Sequence, residues 1–252
     1  MDFEKRIEKL NEMIAEAYNI VFFTGAGIST NSGIPDFRSD DGLYNTASGI
    51  PIASPEYMLS DDCLHKHPSE FYKYIRKNLN FETAEPNIAH LKISELGLTR
   101  NVSVATQNID GLHEKANTKN VFAIHGTMSK FYCPECGNDI FTPATVMNGF
   151  YDDDNNIPKC PQCEYGVIRP DIVLYGEGLS EPAWSCANDA AYYCDLMIVV
   201  GTSLTVYPAA YIPMNCKGKL VIINREDTFL NKNADLIFNE NIKEVFENVK
   251  IP

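Results

Sequence analysis

Four of the eight cysteines fall into two pairs, Cys133-Pro134-Glu135-Cys136 and Cys160-Pro161-Gln162-Cys163, with 23 residues between them. Two such knuckles close one tetrahedral zinc site, and four thiolates leave the metal no open position, so its role is to hold a small module together. A redox dithiol pair and a nucleic-acid zinc ribbon are the competing readings. The acidity of the chain argues against the ribbon. A second kind of chemistry is offered by Gly25-Ala26-Gly27-Ile28-Ser29, which follows an apolar run. Glycines there let backbone approach a pyrophosphate, with N–H groups of the next turn as anion donors. Position 30 is Thr30 where a dehydrogenase fingerprint wants a third glycine, and the chain has no Gly-Lys-Ser/Thr of a P-loop. By itself the glycine pair is more often a mere tight turn. His125, between Val121–Ile124 and Gly126, is placed where an imidazole could serve as general base near neutral pH.

The composition narrows the partners. With 252 residues and 44% hydrophobic content, the chain can bury one sizeable core with a smaller attached module. Its 21 Lys and Arg against 34 Asp and Glu give a net charge of −13, the wrong sign for gripping phosphate backbones, so nucleic acid is not an expected partner. Met1 to Lys9 mixes both charge signs without an apolar signal core. The longest apolar runs, such as Leu196–Val200, fall far short of a membrane span. The remaining cysteines, Cys63, Cys186, Cys194 and Cys216, follow no pattern, which suits a reduced compartment. A soluble, cytoplasmic monomer is the expectation.

The elements that must position these residues can be read from periodicity. Phe3, Ile7, Leu10, Ile14 and Ala17 recur at helical spacing. Short apolar runs end at Thr24, Thr106, Ile124, Tyr175, Val200 and Ile223, and helix-like stretches (Asn87–Leu96, Pro182–Tyr192, Pro208–Asn215) separate several of them. The pattern predicts an α/β fold, a Rossmann-like doubly wound parallel sheet. Two segments interrupt it, a polar one with helical patches around His67 to Leu79 and the knuckle region. The expected boundaries are a core in three parts (1–35, 84–126 and 168–252), a loop and helical module (36–83), which the resemblance given below makes the cofactor loop and part of the small domain, and a zinc-binding module (127–167). In such a sheet the ligand lies beyond the carboxyl ends of the strands. Gly25-Ala26-Gly27, Gln107-Asn108-Ile109-Asp110, His125-Gly126, Gly201-Thr202-Ser203 and Asn224-Arg225 all follow predicted strands, so they should converge on one nucleotide pocket.

Taken in order, Gly25 to Ser29, Gly33-Ile34-Pro35-Asp36-Phe37-Arg38, Thr106 to His113, His125-Gly126, the two knuckles, Arg169 to Glu177 and Gly201-Thr202-Ser203-Leu204 resemble the sirtuin family, from about Tyr18 to about Asn241. The likeness is greatest to its compact bacterial or archaeal members. It implies NAD and an acyl-lysine peptide entering the cleft between a Rossmann-like core and the small domain, with one structural Zn2+. By similarity, Gly25, Ala26, Gly27, Thr30, Phe37 and Arg38 form the cofactor loop. Gln107 and Asn108 face the ribose hydroxyls and catalytic water, and Ile109 and Asp110 hold the nicotinamide. Gly201, Thr202, Ser203, Asn224, Arg225 and Ile242 line the adenosine half. The peptide would lie as an added strand between Gly176-Glu177 and Val206-Tyr207, its acyl-lysine passing Val173 and Tyr175.

The chemistry implied is capture of C1′ by the acyl oxygen as nicotinamide leaves. His125 then acts as base through the ribose hydroxyls, and hydrolysis gives free lysine and 2′-O-acyl-ADP-ribose. ADP-ribosyl transfer or NAD hydrolysis would use the same loop and Asn108 without the acyl group. A non-catalytic zinc-stabilised binding module would need neither Asn108 nor His125. Members of the family that remove acidic acyl groups carry Tyr-x-x-Arg; here Tyr72 is followed by Ile75 at that spacing, with Arg76 one step further. About 100° separates those positions on a helix, so neutral acyl groups are the expected substrates.

Overall fold

The computed structural model describes residues 1–36 and 54–252. Phe37 and Arg38, two of the expected cofactor-loop residues, lie outside the described residues. Among the described residues eight strands form two sheets: β1 (Asn19–Thr24), β2 (Asn101–Thr106), β3 (Val121–Ala123), β4 (Gly126–Tyr132), β5 (Arg169–Ile172), β6 (Leu196–Val200), β7 (Lys219–Ile223) and β8 (Leu236–Phe238). Six of them pair in the order β3-β2-β1-β6-β7-β8, every pairing parallel. Chain order reverses at β1, which has β2 on one side and β6 on the other. β6 is buried along its whole length and β1 from Ile20 onward, as apolar runs without alternation require when both faces of a parallel sheet are covered.

Helices supply those covers. The first, Phe3–Glu16, is capped by Asp2, whose side chain accepts from Lys5 N at 3.0 Å, and it buries Ile7, Leu10, Met13 and Ile14 against one face with helix Ile88–Leu96. On the other face, Ala187 and Ala191 of helix Glu181–Tyr193 pack on Phe23, Met197 and Val199. Small residues on that helix let it lie close to the sheet.

The apolar run ending at Tyr175 does not join the parallel sheet. Arg169–Ile172 pairs antiparallel with β4, placing Gly126 opposite Ile172, and its side chains belong to a separate core with Phe71, Tyr72, Ile75, Phe131 and Ile168. Pro170 within that run has no N–H to give, which a central parallel strand would need. The segment predicted as a helix at Pro208–Asn215 is a 3-10 helix, Ala209–Asn215, with Pro213 inside it removing a donor. The three-residue strand β8 has no counterpart among the predicted runs.

The second core holds the short helices Pro55–Met58, Asp61–Lys66 and Pro68–Asn78, the two-stranded sheet and both cysteine knuckles. An extended segment laces it to the large sheet. Val173 N donates to His125 O at 2.9 Å, Tyr175 N donates to Leu59 O at 2.9 Å and Asp61 N donates to Tyr175 O at 3.0 Å. Among the described residues no helix is long and apolar enough to cross a membrane.

Candidate active site and cysteine cluster

The carboxyl ends of β1, β2, β6 and β7 open into a cavity of about 810 Å³. Its floor depends on glycine. A Cβ on Gly27 would sit 2.8 Å from Gly201 Cα, and one on Gly25 would sit 2.7 Å from Thr202 Cβ, so the two strand-end turns touch only because both carry no side chain. Gly25 N donates to Val200 O at 3.0 Å and Gly27 N to Gly201 O at 2.9 Å, fixing the 3-10 turn Ala26–Ser32 over the sheet edge.

Asn108 lies deep in this floor, 8% exposed. Its Nδ2 donates to Gly25 O at 3.1 Å and to Ser29 Oγ at 3.2 Å. With both amide protons directed at the loop, the carbonyl oxygen is the polar atom left for a ligand. Ser29 Oγ donates onward to Asp110 Oδ2 at 2.7 Å, and Asp110 Oδ1 accepts from Leu112 N at 2.9 Å. Burial raises the Asp110 carboxyl above its ordinary range, with the Leu112 N–H and the Ser29 hydroxyl opposing.

His125 is half-buried at the cavity wall, and its Nδ1 lies 3.0 Å from Gln107 O. A carbonyl can only accept, so the proton is on Nδ1 and Nε2 is the bare, basic nitrogen. Burial holds the imidazole below its ordinary value, the Gln107 hydrogen bond acting the other way. Gly126 beside it has φ +75°, and a Cβ there would lie 2.1 Å from Asp171 O, so β4 could not otherwise leave the site towards β5.

Of the remaining residues singled out from sequence, Ala26, Thr30, Gln107, Ile109, Gly201, Thr202, Ser203, Asn224, Arg225 and Ile242 line the cavity. So do Val173, Tyr175, Gly176, Glu177, Val206 and Tyr207. Asp110 does not; its carboxylate faces Ser29 and Leu112. Ser29, which ties Asn108 to Asp110, carried a signal in the glycine motif without being assigned a role. Leu59, Trp184 and Asn241 also line the cavity, and nothing in their local sequence marks them. Glu177 is held by Arg169 through two contacts, 2.6 and 2.9 Å, and accepts from Leu174 N at 2.8 Å. This carboxylate staples the loop it sits in.

The four knuckle sulfurs lie within 4.8 Å of one another. Cys133–Cys163 and Cys136–Cys160 are each 3.7 Å apart, against roughly 3.8 Å for the edge of a tetrahedron with Zn–S bonds of about 2.3 Å. Both knuckles turn alike. Gly137 and Glu164, each four residues after the first cysteine, have φ of 72° and 66° and donate their N–H to the carbonyls of Cys133 and Cys160. A Cβ on Gly166 would meet Cys133 Sγ at 2.4 Å, so that backbone passes against the cluster only as glycine. The donor set and spacing fit one closed zinc site, and all eight cysteines are free of disulfides.

A doubly wound sheet with a nucleotide-sized cavity at its switch point, beside a four-thiolate module, defines a dinucleotide-binding protein with a structural metal site. The chain matches the family model described as the Sir2 family over residues 25–208. An NAD-dependent protein deacetylase of Clostridium acetobutylicum is 41% identical over 248 residues, spanning 97% of this chain and 98% of that protein. One of Listeria monocytogenes is 39% identical over 245 residues, 96% and 100%. Among solved structures, a Sir2–p53 peptide–NAD+ complex superposes with a TM-score of 0.83 at 34% identity, covering 96% and 95% of the two chains. A Sir2 complex with deacetylated p53 peptide and 3′-O-acetyl ADP ribose superposes at 0.87, with 34% identity and 96% of each chain. This chain belongs to the Sir2 family.

Proposed function

We propose that the protein is an NAD-dependent protein-lysine deacetylase, moving the acyl group of a modified lysine to ADP-ribose to give nicotinamide and 2′-O-acyl-ADP-ribose. The observation that carries this is the pairing, in one cavity, of a tautomer-fixed imidazole, His125, with the inward carbonyl of Asn108. NAD supplies the electrophilic C1′ and the nicotinamide leaving group. The residues of the chain do the rest. Asn108 Oδ1 orients hydroxyls or water, and His125 Nε2 takes a proton from a ribose hydroxyl as that oxygen attacks the acyl carbon. The turn at Gly25–Ser29 and the strand ends at Gly201–Ser203 and Asn224–Arg225 hold the phosphates and adenosine, and Ile109 packs on the nicotinamide. The peptide lies along Val173–Glu177 and Val206–Tyr207, entering as an extended segment held by main-chain bonds.

Neutral acyl groups are the substrates. Arg76, the cation nearest in sequence to a Tyr-x-x-Arg position, is committed to Asp152 (2.6 and 2.7 Å) and to Val146 O at 3.0 Å. Ile75 is packed in the small-domain core. The wall along Leu59, Val173 and Leu174 is apolar. Free thiols and an acidic surface suit a cytoplasmic monomer without nucleic-acid contact. Incubation with NAD and an acetylated peptide, read by mass spectrometry, tests the whole reading. Deacetylated peptide and acyl-ADP-ribose in equal amounts are expected. Nicotinamide release without peptide turnover would replace it by NAD hydrolysis, and ADP-ribose on protein by ADP-ribosyl transfer.

A further inference from the structure

Two buried histidines lie beneath the floor of the site with no part in the chemistry above. His90 and His113 are 0% and 1% exposed, their ring centroids 4.8 Å apart and edge-to-face. The hydrogen bonds around them fix where their protons are. Asn108 N donates to Thr106 Oγ1 at 3.0 Å, and Thr24 Oγ1 donates to the same oxygen at 2.9 Å. The single Thr24 proton being used, its oxygen accepts from His113 Nε2 at 3.1 Å. His113 therefore carries its proton on Nε2, and Nδ1 is bare. His90 Nδ1 accepts from Asn87 N at 3.3 Å, so its proton is on Nε2. The two ring atoms without a partner, His90 Nε2 and His113 Nδ1, are thus a donor and an acceptor on adjacent rings.

This chain of bonds ends on one peptide group. The N–H of Asn108 and the C=O of Gln107 belong to the same amide plane. The N–H is held from below by Thr106, Thr24 and His113, and the C=O receives the Nδ1 proton of His125 at 3.0 Å. The same plane sets the backbone from which Asn108 reaches into the cavity. Donation by the N–H also polarises the carbonyl as an acceptor, as coupled hydrogen bonds do in a dry interior.

We infer that His113 is a positioning residue, which through Thr24 and Thr106 locks the Gln107–Asn108 amide and so fixes the tautomer and aim of His125. The inference rests on the role given to His125 in the proposed function. It requires His113 and His125 to be neutral in opposite tautomers, Nε2–H and Nδ1–H.

Nitrogen-detected NMR of histidine-labelled wild-type protein at neutral pH reads this directly. Opposite tautomers are expected, and a proton on Nδ1 of His113 overturns the inference. Turnover is then compared in His113→Phe, which removes the donor, and His113→Gln, whose amide nitrogen can restore it. Loss of about tenfold or more in kcat for Phe, as expected when a reacting group loses its aim, with KM for NAD little changed and recovery in Gln, supports the positioning role. Wild-type kcat in the Phe variant refutes it, and equal loss in both reduces His113 to packing. Thr24→Val breaks the same chain without touching either ring and should match the Phe variant, its failure to do so counting against the relay. A wild-type protein that turns over no acetylated peptide would sink the deacetylase reading instead. The tautomers, read without turnover, are judged separately.

Discussion

Replacing Glu177 by Ala should loosen the loop proposed to hold the peptide more than the cofactor site. The Arg169 side chain is 9% exposed and Glu177 25%, so the pair is buried at one end and open to water at the other. Removing one partner of a fully buried pair costs about 3–5 kcal/mol, because the remaining charge is stranded. Water reaching the Glu177 side reduces this to about 2–3 kcal/mol, since Arg169 keeps its bond to Ile172 O at 3.0 Å while Leu174 N loses its acceptor. For a chain of this size that corresponds to a fall in Tm of about 5–10 °C. Arg169 and Leu174 bracket Val173, whose N–H is tied to His125 O, so KM for the acyl peptide should rise while KM for NAD stays near wild type. Thermal melts with steady-state kinetics in both substrates would measure this. The pairing of Arg169→Met with Glu177→Leu should recover part of the stability, no charge being left unpaired. The reasoning is refuted if Glu177→Ala melts with wild type, or if the double variant is the least stable of the series. Burial alone would raise the Glu177 carboxyl, but Arg169 and the Leu174 N–H hold it below its ordinary 4.5. Its contribution is complete above that value and is lost as pH falls through the lowered one.

Five further outcomes are expected. His125→Ala should reduce deacetylation by about 10²–10⁴-fold with the fold intact, the usual range for a general base. In the wild type, kcat/KM should climb with pH through a value below 6.5 and then level off, since burial depresses this imidazole; an acid limb centred above 6.5 would contradict it. The stability contributed by His90, His113 and His125, all depressed by burial, should be full above 6.5 and decline as pH falls towards their folded values, visible as a falling Tm between pH 7.5 and 5. Elemental analysis should give one zinc per chain, and a strong chelator or Cys133→Ser should unfold the knuckle module first, seen as hydrogen exchange rising around residues 133–166 ahead of the parallel sheet. On a single peptide, succinyl-lysine should be turned over at least about a hundredfold less efficiently than acetyl-lysine, from the cost of burying an unpaired carboxylate; equal values would show that Arg76 leaves Asp152 to meet the substrate.

The parallel sheet was legible because β1, β2, β6 and β7 are apolar runs that stop at glycine or polar turns, and the rule for ligands in such sheets then gathers those turns at one place. The cysteine spacing was legible for a simpler reason, that thiolate geometry tolerates few arrangements. The run at Arg169–Tyr175 misled because its apolar letters also suit a buried strand in a second, antiparallel core; Pro170 is the one local sign against a central parallel strand, and the pairing partner, Gly126–Tyr132, settles it. Ile75 and Arg76 were separated correctly by their 100° on the helix. Where each goes depended on Asp152, more than seventy positions away, and on a core that periodicity cannot outline. The Asp110 carboxylate is held by a hydroxyl and an N–H, those of Ser29 and Leu112, whose reach local sequence does not disclose.

The contact of Gly25 and Gly27 with Gly201 has a thermodynamic corollary. The cavity floor joins the first turn of the sheet to one more than 170 positions later, so the binding site is complete only when both ends of that stretch are folded together. Affinity for the dinucleotide is therefore linked to the cooperative order of the sheet, and a ligand at one hundred times its Kd adds about 2.7 kcal/mol to the folded state. That increment should slow amide exchange most in strands that open only by global unfolding, as is expected of the buried central β1 and β6, and least in the short helices of the small domain.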